Sequence, residues 1–187
     1  LVLGGTKFLG RAAVDAALAR GHEVTLFNRG LTNPGLFPEA EHLAGDRDGG
    51  LDALAGREWD AVIDPSGYVP RIVRSSAELL RPAVGHYVFV STISVYDSPL
   101  PARFDESAPR ARLAEETEEV TGESYGPLKA LCEQAVQDAH RRAVLIVEDE
   151  RVARRALATL LAAHGFDTTA AASATSTSAP ISTRSAA

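Results

Sequence analysis

The chain contains no methionine, one cysteine and one tryptophan in 187 residues, and no apolar run of membrane-spanning length. A lone Cys132 excludes an intrachain disulfide and suits a reducing compartment, so the cytoplasm is the expected location and no membrane partner is expected. Positive charge is not in excess either. Nineteen Lys and Arg against 25 Asp and Glu leave a net charge of −6, which disfavours nucleic acid and acidic membrane surfaces and favours a small-molecule partner. Without methionine, and with Leu1 already inside a strand-like run, the start of the gene product is expected upstream, and no signal peptide can be judged. An apolar content of 45% and a charged content of 24% are those of a globular protein, long enough for one domain, or one domain plus a fragment.

What is present begins at the first residue. Leu1-Val2-Leu3 is an apolar strand that runs into Gly4-Gly5-Thr6-Lys7-Phe8-Leu9-Gly10 and then into a helix. Glycines let the backbone turn tightly and approach a pyrophosphate, and the N–H groups and positive dipole end of the following helix attract phosphate charge. Gly4, position 7 and Gly10 follow the G-x-x-G-x-x-G spacing, with Lys7 where the middle glycine belongs; the alternative is that the glycines merely shape a strand-to-helix turn. Leu9, Ala12, Ala13, Ala16 and Ala17 form a helical stripe, Gly21 ends it, and His22 to Asn28 alternates as a second strand. At the end of that strand an acid suits the ribose of NAD, whereas a nearby arginine suits the 2′-phosphate of NADP. Here stands Asn28-Arg29, so NADP(H) is expected ahead of NAD(H), unless Arg29 is a solvated turn residue.

Further along, Glu41 to Ala44 leads into Gly45-Asp46, and Asp46 either bonds an adenine edge or closes a turn. Trp59 to Asp64 reads as a buried strand ended by Pro65-Ser66-Gly67, with Ser66 at the cofactor side. Ile72, Val73, Ser76, Leu79 and Leu80 mark a helix stopped at Pro82, and His86 to Thr92 is the most strand-like run in the chain. Alternating strands and helices predict an α/β, doubly wound parallel sheet of Rossmann type. Tyr125-Gly126-Pro127-Leu128-Lys129 sets a phenol and an ammonium four residues apart, on one side of a helix starting near Pro127. A nearby cation favours the phenolate, which would let Tyr125 exchange a proton with a substrate hydroxyl. Thr92, or Ser91 beside it, would bond the same substrate oxygen from the carboxyl end of its strand.

Together, the Gly4–Gly10 turn, Asn28-Arg29-Gly30, Val90 to Tyr96 and Tyr125 to Lys129 occur in an order that resembles the extended short-chain dehydrogenases/reductases, the NAD-dependent epimerase/dehydratase family, over residues 1–140. The resemblance implies a Rossmann fold binding NAD(P), Tyr125 as acid/base, Lys129 as its partner and ribose contact, Thr92 as the substrate-orienting hydroxyl, and a small-molecule substrate of which nucleotide sugars are one class. No metal site is expected. The Gly-Gly-Thr-x-Phe-x-Gly variant also resembles the branch containing plastid stem-loop RNA-binding proteins, which supplies an alternative: a nucleotide- or RNA-binding module without turnover.

Beyond residue 140 the pattern changes. Ala143 to Glu150 and the helical Arg151 to Leu161 resemble the opening of a response-regulator receiver domain, whose acidic pair Glu148 and Asp149 would match, although its phosphoacceptor aspartate has no counterpart. Residues 173–187 close the chain as a low-complexity tail without a core. The expected organisation is an incomplete NAD(P)-binding domain over 1–140, a partial receiver-like segment over 141–172, and the tail, with turnover compromised by the missing substrate lobe; a truncated response-regulator fragment is the remaining alternative. The apolar strand near Val144 to Val147 should pair beside Tyr87 to Val90, with a helix over 150–163 covering one face.

Overall fold

The structure is a computed structural model and describes residues 1–101, 104–140 and 143–148, the last stretch without its side chains beyond Ala143. Six strands form a single parallel sheet: β1 (Val2–Leu3), β2 (Thr25–Asn28), β3 (Glu41–Ala44), β4 (Trp59–Asp64), β5 (Val84–Thr92) and β6 (Val144–Glu148). Their spatial order is β3-β2-β1-β4-β5-β6, with the direction of winding reversing after β3. Helices α1 (Phe8–Leu18), α2 (Pro70–Leu80) and α3 (Tyr125–Ala139) connect β1 to β2, β4 to β5 and β5 to β6. Right-handed crossovers place α1 on one face of such a sheet and α2 and α3 on the other.

Two apolar layers follow from the period-2 alternation of the strands. Val2, Val24 and Leu26 pack with Val14 of α1, while Leu3, Phe27, Val62, Tyr87 and Phe89 pack with α2 and α3 through Val73, Leu80, Cys132 and Val136. Helix α1 buries Gly10, Ala13 and Val14, a narrower stripe than the alanine spacing predicts, because Val14 fills the gap above Leu26 and leaves Ala12 and Ala16 half-exposed. The helix closes at Ala19, and Gly21 turns the chain back with φ 78°. Helix α3 begins at Tyr125, two residues before Pro127; it leaves Leu131 exposed and buries Lys129, Cys132 and Glu133.

Strand β6 takes the place beside β5 anticipated for it, in a register pairing Val88 with Val144 and Thr92 with Glu148. Glu148 therefore ends β6 at the carboxyl edge of the sheet. The expected helix over 150–163, Asp149, and the tail lie outside the described residues. Among the described residues no helix is long and apolar enough to cross a membrane.

Candidate nucleotide cleft and adjoining Tyr-Lys pair

The turn after β1 has the backbone its sequence suggests. Gly4 and Gly5 sit at φ 111° and 89°, and a Cβ on Gly5 would lie 2.8 Å from the Leu26 side chain. Only glycine meets both demands at low cost. Lys7 is extended, and Phe8 opens α1 at φ 42° with its ring 91% exposed. Neighbouring elements brace the turn: Asn28 Nδ2 donates to the Gly4 carbonyl at 3.0 Å, Asn33 Nδ2 to that of Thr6 at 3.0 Å, and Ser66 Oγ to that of Leu3 at 2.7 Å. Asn28 Oδ1 in turn accepts from the Gly30 N–H at 2.8 Å. Asn28 and Ser66, read from sequence as cofactor contacts, also brace the turn.

The turn opens into a cleft of about 1040 Å³ at the carboxyl edge of β1, β2 and β4. Gly4 to Gly10, Asn28, Arg29, Asp46 and Ser66 all line it, so every residue read as cofactor-binding except Lys129 is brought to one surface. Arg29 Nη1 lies 4.0 Å from Asp46 Oδ2 with both side chains more than half exposed, an arrangement that contributes little stability and leaves the guanidinium at the cleft wall. Asp46 Oδ1 accepts from the Asp48 N–H at 2.9 Å, so it also closes the turn. Asp48, another lining residue, is bound by Arg71, whose hydrogen bond holds its carboxyl below the usual carboxylate range. Arg71 also takes Glu118 at 2.9 Å and so ties the acidic loop before α3 to the cleft rim.

Thr92, Tyr125 and Lys129 stand beyond the inner end of the cleft, next to Val90 and Tyr68, which line it. Thr92 Oγ1 accepts from the Ser94 N–H at 3.3 Å and starts a single helical turn, Ile93–Val95. The first turn of α3 packs directly on this turn: a Cβ on Gly126 would overlap the Ser94 carbonyl, so glycine there allows the approach of Tyr125 to the Thr92 end of β5. Lys129 is 2% exposed, and its Nζ donates to the Gly67 carbonyl at 2.8 Å and the Val90 carbonyl at 2.6 Å, with the Phe89 ring 4.0 Å away. Burial pushes its ammonium down to about 8, opposed by the charge of Asp64. Ser91, the alternative to Thr92, is buried, and its hydroxyl has no partner among the described residues.

Sequence reasoning missed three residues here. Tyr68 reaches both sides of the junction, its ring 6.2 Å from that of Tyr125 and 5.6 Å from Lys129 Nζ. Arg47 lines the cleft and reaches back to buried Asp64, which also accepts from Tyr87 Oη at 2.9 Å. Burial followed by the Asp64 charge holds the Tyr87 phenol well above its ordinary value. Gly126 carried a signal, a glycine between Tyr125 and Pro127 at the start of a helix; Tyr68 and Arg47 carried none beyond their residue type. Among the described residues no group of three or more His, Cys, Asp or Glu is arranged to hold a metal ion.

Comparison with solved structures reveals the same architecture in UDP-glucuronic acid 4-epimerase from Bacillus cereus, solved with NAD (TM-score 0.60, 16% identity, 78% of this chain and 55% of that one). Human epimerase family protein SDR39U1 (isoform2), solved with NADPH, gives a TM-score of 0.52 at 23% identity over 78% of this chain and 52% of that one. The fold shared with these structures is the α/β Rossmann-type parallel sheet. In sequence, the chain is 33% identical to epimerase family protein SDR39U1 of Bos taurus over 127 residues, 58% of this chain and 42% of that protein. It is 31% identical to the chloroplast stem-loop binding protein of 41 kDa b of Arabidopsis thaliana over 112 residues, 51% of this chain and 29% of that protein. The chain therefore spans less than half the length of either of these relatives. No protein-family model matches it.

Proposed function

We propose that this chain carries the NADP(H)-binding half of an oxidoreductase or epimerase acting on a small molecule. The observation that supports it most is the convergence of the Gly4–Gly5 turn, the opening of α1 and Arg29 on a single cleft at the carboxyl edge of the sheet. A cradle where a Cβ would collide, at a helix N-terminus, is what a pyrophosphate needs. Gly4 to Gly10 hold the pyrophosphate, with Lys7 as an added cation; Arg29 faces the 2′-phosphate, and Asp46 the adenine edge. The nicotinamide supplies the hydride when the dinucleotide is bound.

At the far end Tyr125 exchanges the proton of the substrate hydroxyl, and Thr92 orients that hydroxyl. Lys129 keeps positive charge beside the phenol, favouring its phenolate, and contacts the ribose once released from the Gly67 or Val90 carbonyl. Nucleotide sugars are one substrate class to test, by analogy with the Bacillus cereus epimerase. The free, buried Cys132 thiol, pushed up to about 12 by burial, suits a reducing compartment such as the cytoplasm.

Binding of NADPH, followed by quenching of Tyr and Trp fluorescence, tests the reading, and loss of turnover with retained binding in Tyr125→Phe tests the chemistry. A second reading, RNA binding without turnover, draws on the likeness to the stem-loop binding protein. The net charge of −6 opposes it. Retention of stem-loop RNA on a filter at 150 mM salt, without NADPH binding, would favour that second reading.

A further inference from the structure

Lys129 is a cation held out of water. Two of its three N–H donors are used by the Gly67 and Val90 carbonyls, and among the described residues no carboxylate is one of its hydrogen-bonding partners. The groups around it are mixed in sign: Asp64 from β4, Arg47 from the loop after β3, and Cys132 and Glu133 from α3 itself. Of these the Asp64 charge favours the cation most, and two carbonyl dipoles and two aromatic faces lie against it as well. Phe89 provides one face from the core at 4.0 Å, and Tyr68 provides a second at 5.6 Å from the loop between β4 and α2.

The two rings differ in one respect. Phe89 is fully buried within the sheet, whereas Tyr68 is 46% exposed, lines the nucleotide cleft and lies against the Tyr125 ring. The loop beneath Tyr68 is sealed by Gly67, where a Cβ would collide with Phe89 and Val73. A cation over an aromatic face is held more strongly the further it is removed from water.

We propose that Tyr68 is a positioning residue for the Tyr125–Lys129 pair, its ring holding the Lys129 cation in the crevice it shares with the Tyr125 ring. The role rests on the oxidoreductase reading for its catalytic meaning, but the contact itself does not. Lys7 and Lys129 are the chain's two lysines, so side-chain NMR of protein carrying labelled lysine yields two titrating signals, of which Lys129→Met removes one. In the folded, cofactor-free chain, Tyr68→Phe should leave the Lys129 midpoint where it is. Tyr68→Leu should lower it by about half a pH unit or more. Replacing Tyr68 by pentafluorophenylalanine, which keeps the ring's shape and reverses its quadrupole, should lower it likewise and carries the test if the leucine variant does not fold. A midpoint unmoved by the fluorinated ring overturns the proposal. NADPH titration of the same samples reports separately on the oxidoreductase reading, so either can fail without the other.

Discussion

Arg47 and Asp64 meet fork to fork at the floor of the cleft, Nη1 to Oδ1 at 2.6 Å and Nη2 to Oδ2 at 2.5 Å, with the Asp64 side chain wholly buried. Ser76 Oγ accepts from the same guanidinium at 2.8 Å, and Tyr87 Oη and the Ser66 N–H donate to the same carboxylate. One ion pair thus joins the loop after β3, the end of β4, helix α2 and strand β5.

Breaking that pair from one side leaves a buried charge alone. Arg47→Met should destabilise the chain by about 3–5 kcal/mol, and the double variant Arg47→Met with Asp64→Leu by clearly less than the two single changes added together. Urea unfolding followed by circular dichroism checks this; simple additivity would contradict the coupling.

Gly126 fixes how closely α3 approaches the end of β5. Gly126→Ala must move the helix or the Ser94 carbonyl, so the proposed chemistry should fall at least about tenfold while NADPH affinity, set by the distant glycine turn, changes less than about twofold. Parallel turnover and fluorescence titrations measure the two effects, and equal losses in both would place the damage in the fold as a whole.

The ordering of the sheet explains what the sequence discloses and what it withholds. The glycine turn, the β5 run and the Tyr125–Lys129 spacing are local: each is complete within ten residues, and its chemistry follows from neighbours along the chain. Arg47, Asp64, Ser76 and Tyr87 are brought together by four different segments, so no spacing announces them. Asn28 and Ser66 line the cleft as expected, and their side chains also donate to the carbonyls of Gly4 and Leu3, a bracing role that no local spacing announces. Leu131 is apolar yet lies on the outer side of α3, whose inner face includes Lys129 and Glu133. Glu133 meets Arg110 at 2.7 Å from the preceding loop, a partner 23 positions away that periodicity does not register.

Lys129 makes stability depend on pH in a definite direction. Burial lowers its ammonium to about 8 in the folded chain from an ordinary 10.5, so between those values the unfolded chain binds more protons than the folded one. Stability contributed by this residue should therefore rise as pH increases from 8 towards 10.5, and the full penalty should apply below 8. The difference in unfolding free energy between the wild type and Lys129→Met, measured from pH 7 to 10.5, should shift by about 2–4 kcal/mol in favour of the wild type. A flat difference would mean that the ammonium is not desolvated.

The cleft formed by the glycine turn and Arg29 is the centre of the proposed activity. The most direct measurement is a paired titration of the whole chain with NADPH and NADH, repeated on Arg29→Ala. NADPH should bind at least about tenfold more tightly than NADH to the wild type, and Arg29→Ala should remove most of that difference by weakening NADPH alone, as expected for one charge-assisted contact of about 1.5–3 kcal/mol. Equal affinities in the wild type, or a preference that survives Arg29→Ala, would contradict it.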